Sequence, residues 1–139
     1  MPLPVIIDTN VVVSGLLTSI PDAPTALILD GMLGADFPYL MSIELMAEYR
    51  TVLLRPKIQQ LHSLSPTQVD VILKTLATNG IFRDLIAADS RAPDSNDQHL
   101  WDLLETTPHA ILVTGDRQLQ HHAPATHPVL SPTEFITRT

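Results

Sequence analysis

Three aspartates stand where strand-like or loop segments give way to helix-like ones. Asp8 follows the apolar run Val5-Ile6-Ile7, Asp116 follows Ala110-Ile111-Leu112-Val113 with Thr114 and Gly115 between, and Asp97 follows the polar loop 89–96. A short continuous apolar run predicts a strand buried on both faces of a parallel sheet. Ligands of open α/β sheets bind just beyond the carboxyl ends of such strands. If the first and last of these runs are parallel neighbours, Asp8 and Asp116 share one sheet edge, and a helix starting at Asp97 reaches the same edge. Carboxylates gathered without Cys or His among them suit a hard cation, Mg²⁺ or Mn²⁺. Such ions hold phosphate oxygens and activate water, the logic of phosphodiester hydrolysis, with paired ions roughly 3.5–4 Å apart. Each aspartate also has a plain structural alternative: a turn after the strand for Asp8 and Asp116, a helix cap for Asp97.

The elements that must position these acids are legible in outline. Val11 to Leu17 is apolar around Ser14 and Gly15, a short helix or turn on the sheet; Pro21-Asp22-Ala23-Pro24 breaks the chain and starts a helix over 25–33. Phe37 to Met41 predicts a second strand that Pro38 confines to a start or edge. Ser42 caps a helix from Ile43 to Leu54, ended by Arg55-Pro56, and Ser65-Pro66 opens another running to about Thr78 and closed by Asn79-Gly80. The two predict a helical hairpin at about 43–78. A weak strand over 81–88, a helix over 97–106, the strand 110–113, a short helix at 117–121, a strand at 128–130 and a helical turn at 133–136 complete the chain. Strands alternating with helices predict an α/β class with a mostly parallel sheet.

With 139 residues, 45% of them hydrophobic, and a mean hydropathy of +0.17, one globular domain over 1–139 with a substantial core is expected. Aromatics make up only 4%, so that core must be aliphatic. No apolar run reaches membrane-span length, the N-terminus lacks a basic segment followed by an apolar one, and cysteine is absent. The cytoplasm is therefore the expected compartment, and disulfides, thiolate metal sites and Cys nucleophiles are excluded. The net charge of −7, from Asp+Glu 15 against Lys+Arg 8, opposes nucleic-acid binding taken alone. It also fits carboxylates pooled in one pocket around divalent cations, whose charge reverses the local field.

Five stretches in order resemble the PIN domain family, in particular the toxin group similar to VapC-type ribonucleases. They are Val-Ile-Ile-Asp-Thr-Asn-Val at 5–11, Ser-Ile-Glu-Leu-Met-Ala-Glu-Tyr-Arg-Thr-Val-Leu-Leu-Arg-Pro-Lys at 42–57, Pro-Asp-Ser-Asn-Asp-Gln-His-Leu at 93–100, Leu-Val-Thr-Gly-Asp-Arg-Gln-Leu at 112–119 and Leu-Ser-Pro-Thr-Glu-Phe-Ile at 130–136. The resemblance implies a Rossmann-like three-layer α/β/α domain that cleaves single-stranded RNA with Mg²⁺ or Mn²⁺. It makes Asp8, Glu48, Asp97 and Asp116 the metal-binding and catalytic acids, with Asn10 and Thr114 supporting them by hydrogen bonds and Arg117 able to meet a phosphate. It further implies a small antitoxin protein as partner and a homodimer or higher assembly. Asn96 stands before Asp97 where relatives often carry a second acid, leaving Asp94 as a rival or auxiliary ligand. Glu44, one helical turn from Glu48, competes with it.

Other chemistries fare poorly. Five of the six histidines, His99, His109, His121, His122 and His127, are expected in loops or at the surface; no His-x-x-x-His pair is present. Ser14 and Ser42 lack triad partners, the 5 glycines form no phosphate-cradling loop, and a phospho-receiver would need a late lysine where Lys57 and Lys74 fall in the hairpin. Trp101 is expected in the core. A catalytically idle interaction module of the same fold is the alternative to the nuclease.

Overall fold

The computed structural model describes residues 2–138. Its centre is the strand β1 (Val5–Ile7), all three residues buried, as expected of an apolar run flanked on both faces. β1 pairs in parallel with β4 (Ile111–Val113), with Ile7 opposite Val113, and β4 pairs in parallel with β5 (Val129–Leu130). On its other side Val5 forms a parallel bridge with Tyr39, just before β2 (Leu40–Met41), which pairs in parallel with β3 (Ile81–Phe82). Pro38, which has no N–H to give, stays outside the ladder and offers its carbonyl to Val5 N at 3.1 Å.

Around the strands run α1 (Thr9–Leu17), α2 (Pro24–Leu33), α3 (Ile43–Leu53), α4 (Pro56–His62), α5 (Pro66–Asn79), α6 (Gln98–Leu104), α7 (Arg117–His121) and α8 (Pro132–Thr137). Helices α1, α2, α3 and α5 pack on one another, α8 packs on α2, and α6 packs on β4, giving the three-layer α/β/α arrangement with an all-parallel ladder. Helix starts follow their sequence signals. Ser42 accepts from Leu45 N at 3.0 Å, and Ser65–Gln68 and Ser131–Glu134 form capping boxes, each with Pro in the first turn.

Three expectations are corrected. The hairpin at 43–78 holds a third helix, α4, because Arg55-Pro56 ends one helix and Pro is well placed to open the next. The strand expected over 81–88 pairs only at Ile81 and Phe82; beyond it Ile86 N and Ala88 N turn to the backbone and side chain of Asp102. The helix expected from Asp97 begins as a 3₁₀ turn, Ser95–Asp97, before α6.

Helices α1 and α2 meet where Gly15 has no side chain. A Cβ there would lie 2.5 Å from the carbonyl oxygen of Thr25 and 3.0 Å from Leu29 Cβ, so backbone would have to move. Gly15→Ala is expected to lose about 2 kcal/mol in denaturant unfolding, despite the better helix propensity of Ala. A gain in stability would show that this contact is looser than described.

Candidate active site

Asp8 lies at the end of β1 and caps α1. It is only 5% exposed. Its Oδ1 accepts from Thr9 N at 2.8 Å, and its Oδ2 accepts from Thr114 Oγ1 at 2.8 Å and Asn10 Nδ2 at 3.2 Å. The β1–β4 register sets this up, because placing Ile7 opposite Val113 brings the next residues, Asp8 and Thr114, level. Asn10 also accepts from Gly115 N at 2.9 Å, and Thr114 Oγ1 from Asp116 N at 3.0 Å, so the turn after β4 is fastened to the start of α1. Burial pushes the Asp8 carboxyl above its ordinary range, against the hydrogen bonds from Thr114 and Thr9.

Glu48 comes from the middle of α3. One carboxylate oxygen accepts from the Thr9 hydroxyl and the other lies 3.5 Å from His99 Nε2. His99, the Thr9 hydroxyl and the charge of Arg55 together hold Glu48 below its usual range, against burial. Asp97 projects from the N-terminus of α6 and makes no capping bond; Asp94 does that work instead, accepting from Asn96 N at 2.9 Å. Asp97 is pushed up to about 6, first by burial and then by the charges of Asp8, Asp94, Glu48 and Asp116. Asp116 caps α7, its Oδ1 accepting from Gln118 N at 2.8 Å.

Asp8, Glu48, Asp97 and Asp116 line one cavity of about 660 Å³, together with Asn10. Glu44 is exposed on α3 and is not among its walls; Asp94 and Arg117 are likewise exposed and outside it. Three residues that matter here were given no role in the site from the sequence. Thr9 ties Glu48 to the start of α1. Tyr49, fully buried, donates its hydroxyl to the Ile7 carbonyl and so braces β1 against α3. His99 corrects the expectation of surface histidines. Its side chain is only 16% exposed and faces Glu48, and although burial pulls its pKa down, Glu48, Asp8 and Asp97 more than reverse that. His127 is buried too, with Nδ1 on the Ala110 carbonyl at 2.9 Å, whereas His121 and His122 are exposed. His99 lies one residue after the α6 start, so a helical wheel begun at Asp97 could have raised the question.

A PIN domain family model matches residues 4–118. The chain belongs to the PIN domain family. No curated protein sequence matches it. Among solved structures, the T. brucei RRP44 PIN domain is similar at 12% identity with a TM-score of 0.49, over 98% of this chain and 80% of that one. PIN domains are generally nucleases and typically use divalent metal ions.

The donor set of this PIN domain suits such an ion. It offers carboxylate oxygens, crowded enough for their repulsion to raise Asp97. Among the described residues no three His, Asp or Glu side chains stand close enough to enclose an ion by themselves. Thr9→Val, nearly isosteric, removes the hydroxyl that orients Glu48 and is expected to weaken Mn²⁺ affinity about tenfold by calorimetry. Unchanged affinity would leave Glu48 without a part in holding the ion.

Proposed function

We propose that this PIN domain is an endoribonuclease that hydrolyses single-stranded RNA with Mg²⁺ or Mn²⁺. The observation that carries this reading is the convergence of Asp8, Glu48, Asp97 and Asp116 on one cavity at the carboxyl edge of a parallel sheet. A bound divalent cation supplies charge to the phosphate oxygens and acidity to a water. Asp8 is fixed in place by Thr9, Asn10 and Thr114, so its carboxylate is preorganised and needs little rearrangement to meet a cation. Asp97 and Asp116 line the same cavity, and Glu48 is oriented by Thr9. In the reaction a water oxygen bonds to phosphorus as the P–O3′ bond breaks, and a proton ends on O3′. The products are a 5′-phosphate and a 3′-hydroxyl.

The five ordered motifs support a finer assignment, the toxin of a bacterial toxin–antitoxin pair of the VapC type, acting in the cytoplasm as a homodimer or higher assembly and silenced by a small antitoxin protein. Among the described residues no helix is long and apolar enough to cross a membrane. The family match ends at residue 118, but β5 pairs with β4 and α8 packs on α2, which supports one domain over 1–139.

The idle interaction module has one observation in its favour. Both Asp8 oxygens and both Glu48 oxygens already have neighbours within the chain, and the described acids form no closed three-ligand cage. Incubation of a mixed single-stranded RNA pool with the protein separates the two. The nuclease yields fragments with 5′-phosphate ends in Mg²⁺ or Mn²⁺ and none in EDTA; intact RNA in millimolar metal would favour the module.

A further inference from the structure

The cavity that holds the acids does not end with them. Its lining follows α1 from Thr9 through Val13 and Leu17, and α3 from Glu48 to Val52, with Arg55 just beyond the end of α3 at the start of α4. These steps of four residues keep one face of each helix turned to the cavity. Glu48 and Thr9 touch at the acidic end, and α1 also packs on α4, which follows Arg55, so both walls recede from the acids together. Eight residues of α1 carry the wall about 12 Å. Beyond the carboxylates the surface is aliphatic (Val13, Leu17, Val52), with the hydroxyls of Ser14 and Thr18 beside it.

Arg55 is the one cationic residue among the described walls of this cavity. Its guanidinium has no hydrogen-bond or ion-pair partner among the described residues, although its charge reaches Glu48. Arg50, five residues earlier and on α3, is by contrast held by Asp70, with Nε 2.9 Å from Oδ1. A protein of net charge −7 that acts on a polyanion needs a cation placed where the strand enters. An unpaired Arg on the rim, separated from the acids by an apolar wall, meets that need.

We propose that Val13, Leu17, Val52 and Arg55 form a nucleotide subsite beside the acids, the base lying on the aliphatic wall and an adjacent phosphate on the Arg55 guanidinium. This deepens the ribonuclease reading and rests on it. A cavity of about 660 Å³ lies within the usual range for small-molecule pockets and has room for a nucleotide beside the reacting phosphate. An aliphatic wall offers area without hydrogen bonds, so the subsite favours a splayed, single-stranded base and tolerates its identity.

The test measures binding of a phosphorothioate-linked oligouridine, which resists cleavage, by fluorescence anisotropy over a salt series, alongside KM and kcat for ordinary oligouridine. Arg55→Gln is expected to weaken binding roughly tenfold and to lower the slope of log affinity against log salt by about 1. It should raise KM with kcat little changed, the pattern of lost uniform binding. Arg50→Gln removes the same charge outside the cavity and should change neither. Val52→Thr should weaken oligouridine but not an abasic ribose-phosphate chain of the same length. Wild-type affinity and slope in Arg55→Gln, or an equal loss in Arg50→Gln, would overturn the phosphate contact. Equal effects of Val52→Thr on both chains would take the base off the wall. A wild-type protein that cleaves while these variants behave as it does leaves the ribonuclease standing without the subsite; one that neither binds nor cleaves RNA removes both.

Discussion

Asp8→Asn is expected to reduce RNA cleavage on the order of a hundredfold or more while leaving the fold intact and, in the absence of divalent cations, slightly more stable. The loss follows from position. Asp8 is the acid that the sheet register and three hydrogen-bond donors fix most firmly, and an amide there cannot offer a cation a negative charge. The gain follows from burial. Desolvation outweighs the hydrogen bonds at Asp8, and Glu48 adds repulsion, so its charge is unfavourable in the empty cavity. Against this, Asn keeps one acceptor for the Thr9 N–H but mismatches a donor on its other side, at a cost of about 1 kcal/mol. The balance should be a rise of roughly 3 °C in melting temperature in EDTA. A variant that melts well below the wild type would make Asp8 chiefly a cap of α1, and one that cleaves normally would remove it from the site.

The second large effect is a reversal in the pH dependence of stability when metal is added. Asp97 is raised to about 6 in the folded chain, above the ordinary aspartate value, so the folded state takes up its proton more readily than the unfolded state does. Its contribution is therefore fully present below about pH 4 and is lost as pH rises through about 6. Asp8 and His99 are both shifted upward and act with the same sign. Metal-free protein is thus expected to be more stable at pH 5 than at pH 7.5, by about 1 kcal/mol once the solvent exposure of Asp97 is allowed for. Glu48 is lowered, so its opposing contribution fades only at more acidic pH. A divalent cation needs the deprotonated carboxylates, so its stabilisation grows over the same interval. At a hundred times its dissociation constant it adds about 2.7 kcal/mol, enough to make pH 7.5 the more stable condition. Thermal unfolding at both pH values, with Mn²⁺ and with EDTA, reads this directly. Parallel shifts at pH 5 and 7.5 would separate the metal from these acids.

How much of this the chain displayed beforehand depended on how local the signal was. β1 and β4 were readable because three consecutive buried aliphatics leave little ambiguity, and the strand-end rule then placed Asp8 and Asp116 together. Ser42, Ser65 and Ser131 marked their helices because a cap is a contact within four residues. The rest is long-range. Thr9 meets Glu48 across 39 positions, and His99 meets it from α6, contacts that no local pattern encodes. Helix α4 was hidden because its residues are at most half-buried, so its apolar periodicity is faint. The PIN motifs pointed to Glu48, and the fold gives a reason for preferring it to Glu44. Glu48 and Val52, one turn apart on α3, line the cavity with residues of α1, whereas Glu44, a turn further back on the same helix, is exposed and outside it. The −7 charge likewise becomes intelligible when four of its acids face one cavity and, among the described residues, Arg55 is the one cation that joins them.

The proposed hydrolysis requires Asp8, Glu48, Asp97 and Asp116 to hold a divalent cation. Calorimetric titration of Mn²⁺ into the wild-type protein and into Asp8→Asn at pH 7.5 tests it most directly. Saturable binding to the wild type at submillimolar concentration, and its loss in Asp8→Asn, are expected. No heat of binding up to millimolar Mn²⁺, or the same affinity in both proteins, would contradict it.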